Sequence, residues 1–397
     1  MSAPTPAPLS GALPAVVEWQ EGETSRTALW HSENSAPAPR RAVAADDRTK
    51  ADAAHRLACE GTALLWQGDY HNARRLLEAM GRRIDRKPAK RPPAPSATSD
   101  APTPAEAFHR HRRARAHRAR VLGHLLVLLD GEHRLALRRA PDVRQACTEA
   151  YGPPHAPTAI SLTELLGVIG AQQWREKGVD VPALGDRIHP HYGVFSPVRG
   201  EYVDLVARAP LPAPRGRPLT AFDLGTGTGV LAALLARRGV ERTVATDISP
   251  RALACARDNI HRLHLSDRVD VTPAPSLFPD ARADLVVCNP PWIPARPTSA
   301  VEQGVYDPGS TMLHDFLNGL SAHLHPGGEG WLVLSDLAEH LGLRTRGELL
   351  AAIGSAGLRV RDRLDTSPRH PRAQDTADPL HTARAAETTS LWRLEPA

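Results

Sequence analysis

AFDLGTGTGVLAALLARRG, residues Ala221 to Gly239, is the stretch that decides the fold class. Ala221, Phe222 and Leu224 end an apolar run that reads as a buried strand. Gly225, Gly227 and Gly229 follow at alternate positions, and Val230, Leu231, Leu234 and Leu235 then recur at helical spacing. A strand that enters a helix through three glycines brings bare backbone amides close to a ligand, beside the partial positive charge of a helix N-terminus. The spacing G-x-G-x-G differs from the G-x-G-x-x-G of dinucleotide folds and from the G-x-x-x-x-G-K of phosphate loops. The competing reading is a plain tight turn. Asp247, in TVATDIS, closes the next apolar strand about 20 residues on, where an α/β sheet offers an acid to ribose hydroxyls. Ser249 before Pro250 has the pattern of a helix N-cap, which leaves Asp247 free for that role.

A second stretch, DLVVCNPPW, runs from Asp284 to Trp292. Leu285 to Cys288 is an apolar strand, and two prolines cannot continue a sheet ladder. The chain must therefore stop and turn outward at Asn289-Pro290-Pro291-Trp292. The Asn289 side-chain oxygen and the Pro290 carbonyl could both accept hydrogen bonds from one NH2 group, and Trp292 could stack on a flat acceptor. An ordinary loop with a surface tryptophan is the competing reading.

Together the two stretches resemble the class I S-adenosylmethionine-dependent methyltransferases. More narrowly they resemble the branch with an N-P-P-[YFW] motif, which methylates planar nitrogens of DNA and RNA adenine, of ribosomal RNA bases and of release-factor glutamine. The resemblance covers roughly Ile188 to Leu394. It implies an α/β fold, a Rossmann-like seven-stranded sheet, with S-adenosylmethionine as cofactor. The cofactor-binding residues it implies are Phe195, Asp223, Gly225, Thr226, Gly227, Gly229, Asp247, Ile248, Ser276, Leu277 and Asn289. Asn289, Pro290, Pro291 and Trp292 are the implied catalytic residues. One position departs from the pattern: Ser276 stands where the family offers an acid to the adenine amino group, so Ser276 or the Leu277 backbone would serve instead. Pro197, Arg199 and Glu201 loosely resemble the release-factor enzymes' loop over the methionine end of the cofactor.

The chain has 397 residues, enough for two domains. Its four cysteines are scattered, without C-x-x-C or histidine partners at zinc spacing, which argues against a disulfide framework or a structural metal. The N-terminus lacks a basic start and a sustained apolar stretch, so it does not read as a signal peptide. The expected protein is soluble and cytoplasmic.

Residues 1–45, rich in Pro, Ala and Ser, are expected to be disordered. A helical N-terminal domain is expected over 46–180, with a linker of six prolines at 87–105. Within it, the arginines from Arg110 to Arg120 point all round a helix axis, so that helix should not pack into a core. Residues 81–120 hold 12 Lys+Arg and 3 Asp+Glu, a local charge of +9 against +5 for the whole chain. This favours nucleic acid, RNA or DNA, as the partner, although codon bias toward arginine explains it equally well. The expected function is N-methylation of a macromolecule, leaning to a nucleic-acid base. The alternatives are a protein glutamine acceptor and a non-catalytic cofactor- or RNA-binding protein. From 181 to 397 strands and helices alternate, which gives a parallel doubly wound sheet ending in an antiparallel hairpin.

Overall fold

Val17 and Trp19 are buried on one side of a short ribbon while Glu18 and Gln20 face water, and Gly22 at φ 64° turns the chain back. The computed structural model describes residues 15–86, 102–198, 200–214, 216–274, 276–298, 301–369 and 371–397. It opens with this hairpin, β1 (Val16–Glu21) and β2 (Thr24–Trp30), followed by β3 (Arg41–Ala45). These strands overturn the disordered stretch expected over 1–45, of which 1–14 lie outside the described residues. A six-residue alternation is a weak signal beside a Pro- and Ala-rich flank.

The helical domain expected over 46–180 is a mixed α/β layer. α1 (Ala51–Cys59) leads to β4 (Thr62–Trp66) and α2 (Tyr70–Asp85), then α3 (Pro104–Leu122), β5 (Leu125–Leu129), α4 (Arg144–Tyr151), β6 (Thr158–Ser161) and α5 (Leu162–Lys177). The six strands lie in the order β1-β2-β6-β5-β4-β3, with β3, β4 and β5 parallel. Every residue of β4 is buried, and four of the five in β5. Covering both faces removes the alternation that marks a strand, so a short leucine run looks like a helix in sequence. Most of the expected linker, 87–101, lies outside the described residues. Its end is the start of α3, where Thr103 and Glu106 bond reciprocally in a capping box around Pro104.

The chain forms two compact units, residues 1–93 with 115–169 and residues 94–114 with 170–397. The second opens with a hairpin of β7 (Val179–Val181) and β8 (Asp186–Ile188), then α6 (Glu201–Arg208). Next come β9 (Thr220–Leu224), α7 (Val230–Arg237), β10 (Arg242–Asp247), α8 (Pro250–Arg262), β11 (Val269–Pro273) and β12 (Ala283–Cys288). α9 (Thr311–His323), β13 (Leu324–Ser335), α10 (Leu337–His340), α11 (Arg346–Ser355), β14 (Leu358–Thr366), α12 (Pro371–Gln374), α13 (His381–Ala385) and β15 (Thr389–Pro396) complete it. The sheet order is β11-β10-β9-β12-β13-β15-β14, with β15 antiparallel to both neighbours. This is the expected doubly wound sheet with an antiparallel hairpin. Residues of α6, α7 and α8 pack with one side of the sheet, and those of α9 and α11 with the other. At the amino end of the central strands, buried Asp284 accepts from the Thr220 N–H and hydroxyl, each at 3.0 Å, and pairs with Arg217. That ties β12 to β9 at the end opposite the glycine turn.

Candidate active site

Three strand ends build the site. Leu224 on β9 is in register with Thr246 on β10 and with Cys288 on β12. Gly225, Asp247 and Asn289 therefore leave the sheet side by side, at the carboxyl edge where open α/β sheets bind ligands.

The glycine turn is held from below. The Thr226 N–H donates to the Thr246 carbonyl at 2.9 Å, and its hydroxyl to Asp223 Oδ2 at 2.6 Å. The same Asp223 oxygen takes the Ala232 N–H at 3.0 Å, so Asp223 ties the turn to the first turn of α7. Burial pushes the Asp223 carboxyl up to about 6, against the lowering effect of the Thr226 and Ala232 bonds, and the Asp247 charge adds to the rise. Gly227 has φ 56° and open space where a Cβ would stand, so a ligand can approach its backbone. Gly229, in the left-handed region at φ 81°, caps α7, and a Cβ there would meet Ala256 of α8 at 3.3 Å. Gly225 lies under the Met312 side chain of α9.

Asp247 is half-buried. Its Oδ2 accepts the Gly227 N–H at 3.0 Å and its Oδ1 the Ser249 N–H at 2.9 Å, with further lone pairs left on the carboxylate. Ser249 caps α8 ahead of Pro250, as its sequence position predicts. Ile248 is 85 % exposed, an aliphatic side chain standing in water next to the acid. Leu277 is half-buried, and its carbonyl accepts from the Thr246 hydroxyl at 3.3 Å. Exposed Ser276 donates its hydroxyl to the Phe278 carbonyl at 3.0 Å, within its own turn. Half-buried Phe195 packs close to Gly304 in the segment that follows the Asn-Pro-Pro-Trp turn. Arg199 lies outside the described residues. The Glu201 carboxylate is buried and accepts the Arg369 N–H.

Asn289, Pro291 and Trp292 are half-buried and Pro290 is buried. The Trp292 indole N–H donates to Asn289 Oδ1 at 2.8 Å. The edge of the indole is thus engaged within the motif itself. Its ring packs against hydrophobic clusters on both faces of the sheet, and against a third cluster of Phe108, Ile293, Leu337, Leu341 and Leu380.

Phe108 corrects the expectation of an unpacked arginine helix. It is 2 % exposed. One turn on, Arg112 donates to the Arg296 carbonyl at 2.6 Å, pairs with Glu302 at 3.6 Å and lies 4.0 Å over the Tyr306 ring. An (i, i+4) pair of one phenylalanine and one arginine fixes the first half of α3 to the loop after Trp292. Phe108 was legible only as a lone aromatic in a polar helix. Asp307, also absent from the sequence reading, accepts the Met312 N–H at 2.8 Å and holds α9 beside the glycine turn.

Residues 187–350 match the family model "Methyltransferase small domain". A release factor glutamine methyltransferase of Cereibacter sphaeroides is 35% identical over 164 residues, 38% of this chain and 57% of that protein. A ribosomal protein L11 methyltransferase of Chelativorans sp. is 33% identical over 143 residues, 35% of this chain and 41% of that protein. A release factor glutamine methyltransferase of Moorella thermoacetica is 36% identical over 118 residues, 28% of this chain and 42% of that protein. The chain spans about half the length of the curated relatives it matches. With its sheet order and glycine turn, the second unit carries a class I S-adenosylmethionine-dependent methyltransferase domain.

Proposed function

We propose that the chain is a methyltransferase that transfers a methyl group from S-adenosylmethionine to a planar nitrogen of a macromolecule, with a protein amide as the leading acceptor. The observation that carries this is the shared register of Leu224, Thr246 and Cys288. It sets a glycine turn, an acid and an Asn-Pro-Pro turn in one row.

The residues fit the cofactor. Gly227 leaves room for it, Asp247 retains lone pairs for ribose hydroxyls, and exposed Ile248 with Leu277 offers an apolar bed for adenine. When bound, the cofactor supplies an electrophilic methyl group on a sulfonium. The chain's own work is positioning and electrostatics. Asn289 Oδ1 and the Pro290 carbonyl each accept an N–H of the acceptor, which directs the nitrogen lone pair toward the methyl group. The two prolines hold the carbonyl still.

A protein acceptor is favoured because the named relatives act on a release factor and on ribosomal protein L11. A glutamine side chain presents the flat NH2 that two acceptors suit. The second reading, a nucleic-acid base, rests on Arg110 and Arg113. They are exposed on the same helix that buries Phe108 beside Trp292.

The test is transfer of radiolabelled methyl from S-adenosylmethionine into protein and RNA fractions of a deletion strain. Label should enter protein, and Asn289→Ala should slow it by roughly 10²–10³, the scale of one lost transition-state hydrogen bond. Label confined to RNA overturns the protein acceptor. Normal turnover by Asn289→Ala removes the planar-nitrogen mechanism.

A further inference from the structure

We propose that Trp292 is a positioning residue that acts through Asn289, by virtue of its indole N–H and not of its ring alone. The inference rests on the methyltransferase reading above and deepens it. The indole nitrogen is a donor only, and it lies 2.8 Å from Asn289 Oδ1. An unrestrained carboxamide can rotate by half a turn and exchange oxygen for nitrogen. At this position the exchange would set Nδ2 against the indole N–H, donor against donor. The indole therefore decides which way the carboxamide faces before an acceptor arrives.

The donor itself is held. Trp292 packs against three hydrophobic clusters, one of which contains buried Phe108 and Ile293. Pro290 and Pro291 limit the backbone between the two partners. One lone pair of Oδ1 goes to the indole and one remains. Asn289 then takes a single acceptor N–H, and the second falls to the Pro290 carbonyl. Phenylalanine would fill the same space without fixing the carboxamide.

Two measurements test this. In protein labelled with ¹⁵N-tryptophan, the indole signal lost in Trp292→Phe identifies Trp292 among the seven tryptophans. In Asn289→Ala, where Trp292 is intact, that signal should move and exchange with solvent faster. A signal unmoved by Asn289→Ala overturns the proposal, with no acceptor needed.

The second measurement is a double-mutant cycle on methyl transfer to a peptide with a central glutamine. Trp292→Phe should lower kcat by roughly tenfold with little change in KM, as a loss of pre-orientation does. In the Asn289→Ala background the same change should cost nothing further, because its route of action is gone. Trp292→His, which keeps a ring N–H, should recover part of the rate. Additive losses would mean that Trp292 only packs, and would overturn the proposal. A wild-type protein that methylates neither the peptide nor RNA sinks the methyltransferase reading instead, and the indole signal then decides on the Trp292–Asn289 bond by itself.

Discussion

At the carboxyl ends of β3 and β4 the chain places Asp46, Asp47 and Asp69. At those of β9, β10 and β12 it places Gly225, Asp247 and Asn289. The first edge is closed by its own side chains. Asp69 is 2 % exposed and accepts from His71 N–H, Asn72 N–H and two Arg139 nitrogens. Asp47 accepts from Asp69 N–H and Asn72 Nδ2, each at 3.0 Å, and pairs with Arg138. A Cβ on Gly68 would meet Asp47 Oδ1 at 2.6 Å. At the second edge Gly227 meets nothing and Ile248 stands in water. Parallel strands offer an edge in both units, but only where acids are left with spare lone pairs and the turn with empty space is there a place for a ligand.

The largest effect should come from filling that space. Gly227→Val should abolish cofactor binding by calorimetric titration. The new side chain displaces no atom, but valine at φ 56° is strained, so the melting temperature should fall as well while the circular dichroism spectrum stays native. Gly68→Val in the other unit should lower stability and leave cofactor affinity alone. If Gly68→Val also lost the cofactor, the two edges would not be independent and the contrast would fail.

Next in size is Asp247→Ala, which should weaken cofactor binding by ~1–3 kcal/mol, the range for a lost charged acceptor. Unchanged affinity in the titration would place the ribose elsewhere.

Asp69 and Asp223 sharpen the contrast through pH, because their carboxyls shift in opposite directions. The Arg139 guanidinium, with the helix amides, holds Asp69 below the usual carboxylate range. Its contribution to stability is therefore complete above the unfolded value of about 3.9 and is lost as pH falls below it. The melting temperature of Asp69→Asn should lie below wild type at pH 7, and the gap should narrow below about pH 4. Asp223 is raised to about 6 by burial. The folded state then binds the extra proton, so its contribution falls as pH rises from the unfolded value through about 6. Asp223→Asn keeps an acceptor and sheds the charge. It should gain roughly 2–4 °C relative to wild type between pH 5 and pH 7.5 in the absence of cofactor, as ~1 kcal/mol gives in a domain of this size. An equal gap at both pH values would mean that burial does not raise the Asp223 carboxyl.

The second unit's sheet was legible because its strands end in clear punctuation: three glycines after Leu224, and two prolines after Cys288. The first unit was not, because Leu64 and Leu65 and the run Leu125 to Leu129 are covered on both faces and show no period. The row of Gly225, Asp247 and Asn289 followed from motif spacing. The bond from Trp292 to Asn289 did not, since a three-residue separation says nothing of where an indole edge points. Phe108 was hidden for another reason: one apolar residue among arginines leaves no stripe, yet with Arg112 it anchors the first half of the helix.

The common register line under the site has a consequence for how the chain can change over generations. Surface loops can gain or lose residues at little cost. Adding or removing one residue within β9, β10 or β12 would turn the next side chain to the opposite face and shift it out of line with the other two. A single insertion in any of these strands, with every site residue retained, would silence the site as completely as replacing them. Strand length is then the inherited quantity to which descendants of this fold are most tightly bound.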